Sequence, residues 1–246
     1  MTHLYNDLLS TLTHDAPVRD LRVCIRATAV LSERPGLAYT FPRIHKGHEA
    51  ERLRGRKSLQ GLTARELAQL LKSDDPIQAS VGLAAFNSLA SHEGLNPKPG
   101  KAMELILARG EGKDVTVVGH FPFVDELATR VRNLWVLELS PKGEDLPAEE
   151  AVNVIPKSDV VAITGTSVIN HTIEPLLELA RDAFTIILGP STPLSPVLFD
   201  HHVDAISGSI VTDPETAITH VSEGSSFRYI EGIQPVNVVR SWSLLG

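Results

Sequence analysis

The chain has 246 residues, of which 42% are hydrophobic and 22% charged, a globular balance that argues against wholesale disorder. Its 30 acidic residues outnumber 23 basic ones, and the net charge of −7 makes nonspecific nucleic-acid binding or adhesion to anionic membranes a poor expectation. Cys24 is the 1 cysteine, so no internal disulfide can form.

The start, MTHLYNDLLSTLTHD, lacks the basic and apolar stretches of a signal peptide. No run approaches the roughly 20 apolar residues of a membrane span. The expectation is a cytoplasmic protein. Leu4, Leu8, Leu9 and Leu12 have helical spacing. A long alternating run follows, with Leu21, Val23, Ile25, Ala27, Ala29 and Leu31 on one face; it predicts a single half-buried strand. Pro35-Gly36 predicts a turn, and Leu37 to Phe41 the partner strand of a hairpin. Residues 42–58 are basic, with Arg43, Lys46, Arg52, Arg54, Arg56 and Lys57 against Glu49 and Glu51. This segment is either a solvated face or a cover that attracts a negative ligand.

Thr63-Ala-Arg-Glu66 is a capping box opening a helix through Leu71. Asp75-Pro76 opens another, with Asp75 as N-cap, which is expected to end near Gly94. Asn87 interrupts its apolar run. Its amide either finds partners across a domain interface or faces water. Asn96-Pro97-Lys98-Pro99-Gly100 predicts a linker between an N-terminal α+β unit, residues 1–95, and a second domain, residues 99–246. In the second, strands are predicted at Val115–Gly119, Leu134–Leu139, Val160–Thr164, Thr185–Leu188 and Ala205–Ile210. Helices are predicted at 124–132, 148–156, 168–182 and 214–222. This alternation implies βαβ units and an open, Rossmann-like parallel sheet.

Small or polar clusters follow these strands: Gly119-His120-Phe121-Pro122-Phe123, Glu138-Leu-Ser-Pro141, Gly165-Thr166-Ser167 and Gly189-Pro190-Ser191-Thr192, with Ser207-Gly208-Ser209 in the fifth strand. Turns between strands and helices favour Gly, Ser and Pro anyway. Several such clusters at the carboxyl ends of parallel strands, however, point to a ligand crevice. His120, between aromatic neighbours, is a candidate metal ligand or general base, against the plain reading of a hydrogen-bonded strand-end residue. Glu138 lies 19 residues beyond Gly119, near where a dinucleotide-binding acid would sit. The loop GHFPFVDE is not GxGxxG, though, and Pro122 removes a backbone donor where a pyrophosphate would need one. Asn170 either caps the next helix or aims its amide at a ligand. Ser167 and Ser191 are conceivable nucleophiles without a base. Of the 10 histidines, His201-His202 and His45/His48 read as loop residues, and His92, His171 and His220 as surface positions. With no CxxC, HExxH or Cys/His cluster, any metal would use a mixed His and oxygen set from several loops.

The segments VVGHFPFVDEL, LELSPKGEDLPAEEAVNVIPKSDVVAITGTSVIN and ILGPSTPLSPVLFDHHVDAISGSIVTDPE resemble the "putative heavy-metal chelation" family, long a domain of unknown function. GLAYTF and ASVGLAAFNSL resemble its N-terminal companion domain. The resemblance implies an enolase N-terminal-like capping domain, a Rossmann-like domain, a pocket between them, and a role in metal handling or chelator metabolism. It carries the motif onto Gly119 to Phe123, Glu138, Pro141, Gly165, Thr166, Asn170 and Gly189 to Leu194. It also implies a small residue where His171 stands.

The expected ligand is thus a small molecule or metal, with a divalent metal as the cofactor candidate. His120 and Glu138 are the candidate catalytic groups and His120 the metal ligand. Gly119, Phe121, Pro122, Phe123, Gly165, Thr166, Ser167, Asn170, Gly189, Pro190, Ser191 and Thr192 are the candidate ligand-binding residues. The alternative is a transferase-like enzyme using a nucleotide-type cofactor such as S-adenosylmethionine, with Glu138 on the ribose. A homo-oligomeric scaffold, its pocket filled by its own side chains, is a third reading.

Overall fold

The computed structural model describes residues 3–42, 59 and 61–242. Helix α1 (His3–Ser10) leads into a small antiparallel sheet of β1 (Asp20–Val23), β2 (Ala27–Leu31) and β3 (Pro35–Tyr39). The alternating run of residues 21–31 is therefore a hairpin, not one strand. The chain reverses over Cys24–Arg26, where the Cys24 N–H donates to the Ala27 carbonyl at 3.1 Å. Ile25, at the tip, is 83% exposed although its place in the alternation predicts an inward side chain. No Gly, Pro or Asn marks this turn, so the period-2 pattern runs through it unbroken. Pro35-Gly36 likewise lies in β3, with Gly36 opposite Val30, and not in a turn.

Helix α2 (Ala64–Ala68) carries the expected capping box on Thr63 and Glu66, and α3 (Pro76–Leu89) the expected Asp75 cap with Pro76 in the first turn. Helix α3 ends at Leu89, short of Gly94. It is apolar nearly all round because it is buried nearly all round. Gly36 makes the contact with the sheet possible: a Cβ there would stand 2.0 Å from the Ala84 carbonyl oxygen. The opposite face of the same sheet is also covered. Ala27, Ala29 and Leu37 pack with Ala217, Val221 and Ile230 from the C-terminal part of the chain.

Beyond residue 95 the chain forms β4 (Lys98–Pro99), α4 (Ala102–Gly110), β5 (Asp114–Val118), α5 (Val124–Ala128), β6 (Asn133–Glu138), β7 (Leu146–Pro147), α6 (Ala151–Val154) and β8 (Val160–Thr164). It continues through α7 (Ile173–Leu179), β9 (Phe184–Leu188), α8 (Val197–Asp200), β10 (Ala205–Val211), α9 (Pro214–Ser222) and β11 (Ile233–Val239). The sheet order is β4-β11-β10-β9-β8-β5-β6-β7. From β10 to β7 every pairing is parallel, whereas β11 and β4 join antiparallel at one edge. The sheet is thus mixed. The linker motif contributes β4, and α4 and β11 are elements the sequence reading lacks. The helices expected at 124–132, 148–156 and 168–182 are shorter, with 3-10 turns at 148–150, 155–157 and 165–168.

Alternate strand residues feed opposite layers. Val161, Ile163, Ile187 and Ile206 face one side, in a core continuous with α1 and α3. Val115, Val117, Ala162, Ile186 and Leu188 face the other, with Leu105, Ile106 and Leu127 from α4 and α5. Helix α1 joins the two halves. Its Leu4 N–H donates to Glu174, the Tyr5 hydroxyl donates to the Val168 carbonyl at 3.1 Å, and His201 pairs with Asp7 at 2.9 Å. Burial and the Glu174 charge push the Tyr5 phenol well above its usual range, so it stays a donor. No helix among the described residues is long and apolar enough to cross a membrane.

Candidate functional site

After β5 the chain moves to β6 and β7 on one side, and after β8 to β9 and β10 on the other. The loops leaving β5 and β8 therefore diverge, and a crevice opens between them at the carboxyl edge. Gly119, at φ +100°, ends β5 beside Thr164 at the end of β8. The N-terminal unit roofs this crevice with Tyr39, Phe41 and Pro42. The result is a cavity of about 710 Å³, a size suited to a small organic molecule. Among the described residues no side chain fills it. Leu137, Ala151, Leu176 and Leu179 give it an apolar wall, and Leu139 and Val152 stand on its rim, 58% and 61% exposed.

The ionisable groups at the β5 and β6 ends are tied together by hydrogen bonds. His120 is about half exposed, and its Nδ1 lies 2.9 Å from an Asp145 carboxylate oxygen. Asp145 itself is 6% exposed and is fixed by the Lys142 N–H. In neutral imidazole that bond places the proton on Nδ1 and the lone pair on Nε2. Glu138 ends β6. Its carboxylate accepts the His120 N–H at 2.7 Å and the Leu139 N–H at 3.1 Å, so it holds the loop that carries the imidazole. Asp145 is absent from the sequence reading; it lies 25 residues beyond His120 in a loop with no motif of its own.

The other candidates divide clearly. Gly119, His120, Phe121, Glu138, Thr166 and Asn170 line the main cavity. Phe121, Pro122, Gly165, Thr166, Gly189, Pro190 and Ser191 line an adjoining recess. Phe123 stacks on Phe121 at 5.3 Å and packs against the core. Ser167 is buried, its hydroxyl donating to the Thr164 carbonyl at 2.6 Å. Ser191 accepts the Tyr39 N–H at 2.7 Å. Asn87 does reach across: its amide donates to the carbonyls of Leu37, at 2.9 Å, and Ser191, at 3.4 Å. Thr192 and Asn87 border a separate void of about 40 Å³ with His92 and Arg34. Asn170 accepts from the Thr172 N–H and hydroxyl, so it caps the approach to α7 while lining the cavity.

Two histidines assigned to the surface are interior contacts instead. His171 bonds the Leu71 carbonyl at 2.9 Å and meets Tyr5 edge-on. Its φ of +61° lies in the left-handed region, which explains why a small residue is the expected occupant. His92 is partly buried, and desolvation aided by Arg34 lowers its pKa to about 4. The basic stretch 43–58, with His45 and His48, lies outside the described residues.

Among the described residues no group of three or more His, Cys, Asp or Glu side chains is placed to hold a metal ion. Glu138 already receives two backbone donors and Asp145 receives His120 and Lys142. This donor set does not fit a resident ion caged by these side chains.

The chain is 28% identical, over 92% of its length and 91% of the relative's, to an uncharacterized protein of Methanocaldococcus jannaschii. It superposes on the crystal structure of a protein of unknown function from Desulfitobacterium hafniense with a TM-score of 0.83, at 29% identity, covering 98% of this chain and 99% of that one. A second protein of unknown function, from Pyrococcus horikoshii, shares the fold with a TM-score of 0.81 at 21% identity, covering 96% of this chain and 98% of that one. Residues 101–240 match the DUF364 family and residues 5–90 the DUF4213 family, both described as "Putative heavy-metal chelation". The chain belongs to this "Putative heavy-metal chelation" family.

Proposed function

We propose that the cleft binds a small organic metal chelator, with or without its metal, and that His120 is the residue that engages the chelated ion or the chelator's acidic proton. The observation that carries this reading is the pairing of an open, largely apolar cavity with one oriented imidazole and, among the described residues, no three-group cage. An ion entering such a site must bring most of its ligands with it, as part of a complex. The apolar wall then holds the organic body. His120, backed by the Asp145 carboxylate, offers a single nitrogen from Nε2, and a carboxylate behind a histidine fixes its ring and tautomer. Glu138 acts as the positioning residue for the His120 backbone.

Calorimetric titration with 8-hydroxyquinoline and with its 1:1 zinc chelate tests the proposal. Wild type is expected to bind the zinc chelate more tightly than the free chelator. His120→Ala should remove that preference, about tenfold, while leaving folding stability within about 0.5 kcal/mol, because the side chain is half exposed. Equal affinity for both probes in wild type, or an unchanged preference in His120→Ala, would remove His120 from the role. No binding of either probe would sink the chelator reading.

A further inference from the structure

The cleft continues past Tyr39 and Phe121. Both side chains, with Thr164 and Thr166, also face a second recess of about 280 Å³, so they form a partition between two lobes. The second recess has a different chemistry. Arg26, from the tip of the β1–β2 hairpin, and Arg228, from the turn after α9, enter it from distant parts of the chain, and among the described residues no carboxylate lines it. The arginine ion pairs of the described residues engage Arg22, Arg130, Arg132 and Arg181; neither Arg26 nor Arg228 is in any of them. Arg228 lies 5.7 Å from the ring of the adjacent Tyr229. In a chain of net charge −7, two exposed guanidiniums without an acid beside them are an unneutralised positive site.

The remaining wall suits close approach by an anion. Gly189, at φ +115°, and Gly165 present bare backbone. Gly165 also lets the two loops pack, since a Cβ there would stand 2.5 Å from the Thr192 hydroxyl, outside the recess. Thr164 and Thr166 share one hydroxyl hydrogen bond at 3.0 Å, which uses one of their two protons and leaves the other O–H free to donate. Two guanidinium forks arriving from separate elements offer more donor edges than one planar carboxylate can accept, whereas a phosphoryl group presents several oxygens.

We infer that this recess is an oxyanion subsite that takes a phosphate-class group at one end of the cleft's ligand. The inference builds on the reading of the cleft as a small-molecule site. The ligand it describes is amphiphilic: an apolar, metal-binding body beside His120 and a phosphoryl group between Arg26 and Arg228.

The subsite is tested on the full chain by thermal-shift and calorimetric titration with inorganic phosphate at constant ionic strength, with acetate as the second arm. Wild type is expected to be stabilised saturably by phosphate and not by acetate. Arg26→Gln and Arg228→Gln should each weaken phosphate about tenfold, as expected for loss of a charge-assisted contact, and the double variant should abolish saturation. Arg181→Gln, an exposed arginine paired with Glu178 and lining neither lobe, should change nothing. No saturable phosphate effect, equal affinity in wild type and the double variant, or equal stabilisation by acetate would overturn the subsite. The two readings separate cleanly. Phosphate binding without hydroxyquinoline binding keeps the subsite and sinks the chelator reading; the reverse sinks the subsite alone.

Discussion

The junction between the N-terminal unit and the parallel sheet is closed at one end and open at the other. At the closed end Asn87 joins β3 to the Gly189–Thr192 loop, Ser191 receives the Tyr39 N–H, and a void of only about 40 Å³ remains. At the open end the same Tyr39 borders a cavity of about 710 Å³ with His120 on its rim. Similar residue types do different work in the two places. At the closed end most polar groups bond across the junction, because an unpaired buried group is costly, and only the Asn87 amide oxygen and the Thr192 hydroxyl lack a partner there among the described residues. Those at the open end keep unused capacity and face water. The closed end therefore fixes the spacing that the open end uses.

The strongest way to break this contrast is to crowd the closed end. Gly36→Ala places a methyl 2.0 Å from the Ala84 carbonyl oxygen and within 2.4 Å of the Ser88 nitrogen, both backbone of α3. Neither atom can yield without moving the helix. Urea denaturation should show a loss of about 3 kcal/mol or more. Retained stability would mean that the sheet and α3 can separate freely.

Asn87→Ala should cost less, about 2 kcal/mol, since it strands two carbonyls in the interface. The same variant sharpens the comparison if it also weakens chelator binding. A stability loss with unaltered binding would show that the closed end does not set the geometry of the open one.

The smallest effect concerns pH. The folded pKa of His92, about 4, lies below its ordinary value of 6.5. In that interval the unfolded chain holds a proton the folded chain does not, so stability rises with pH. The contribution is complete above about pH 6.5 and is lost as pH falls toward 4. The ring is only partly buried, so screening by water limits the loss to about 1 kcal/mol. His92→Gln should flatten that part of the stability profile; an unchanged slope would assign the acid sensitivity elsewhere.

Much of this architecture was legible beforehand. The capping box at Thr63, the Asp75-Pro76 start and the succession of apolar strands are local signals, written within a few residues. Errors arose where local signals ran on or fell silent. The alternation of residues 21–31 crosses a turn without a break. The final strand carries Pro235, which disguises a run that pairs at the antiparallel edge, with Pro235 opposite Ser209. His171 looked like a surface residue because nothing near it in sequence announces Tyr5 or the Leu71 carbonyl, its partners in space.

By itself, then, the sequence determined the capped helices and the central strands of the parallel sheet, that these strands would bring GHFPF, GTS and GPST to one edge, and which family the chain resembles. Periodicity and caps suffice for that, because they depend on neighbours along the chain. Tertiary structure alone decided that Asp145 stands behind His120, that Glu138 holds the loop, and that Arg26 and Arg228 meet across one recess. Those pairings depend on crossovers and on the seating of the N-terminal unit, and contacts between residues from 18 positions apart upward leave no trace in local pattern.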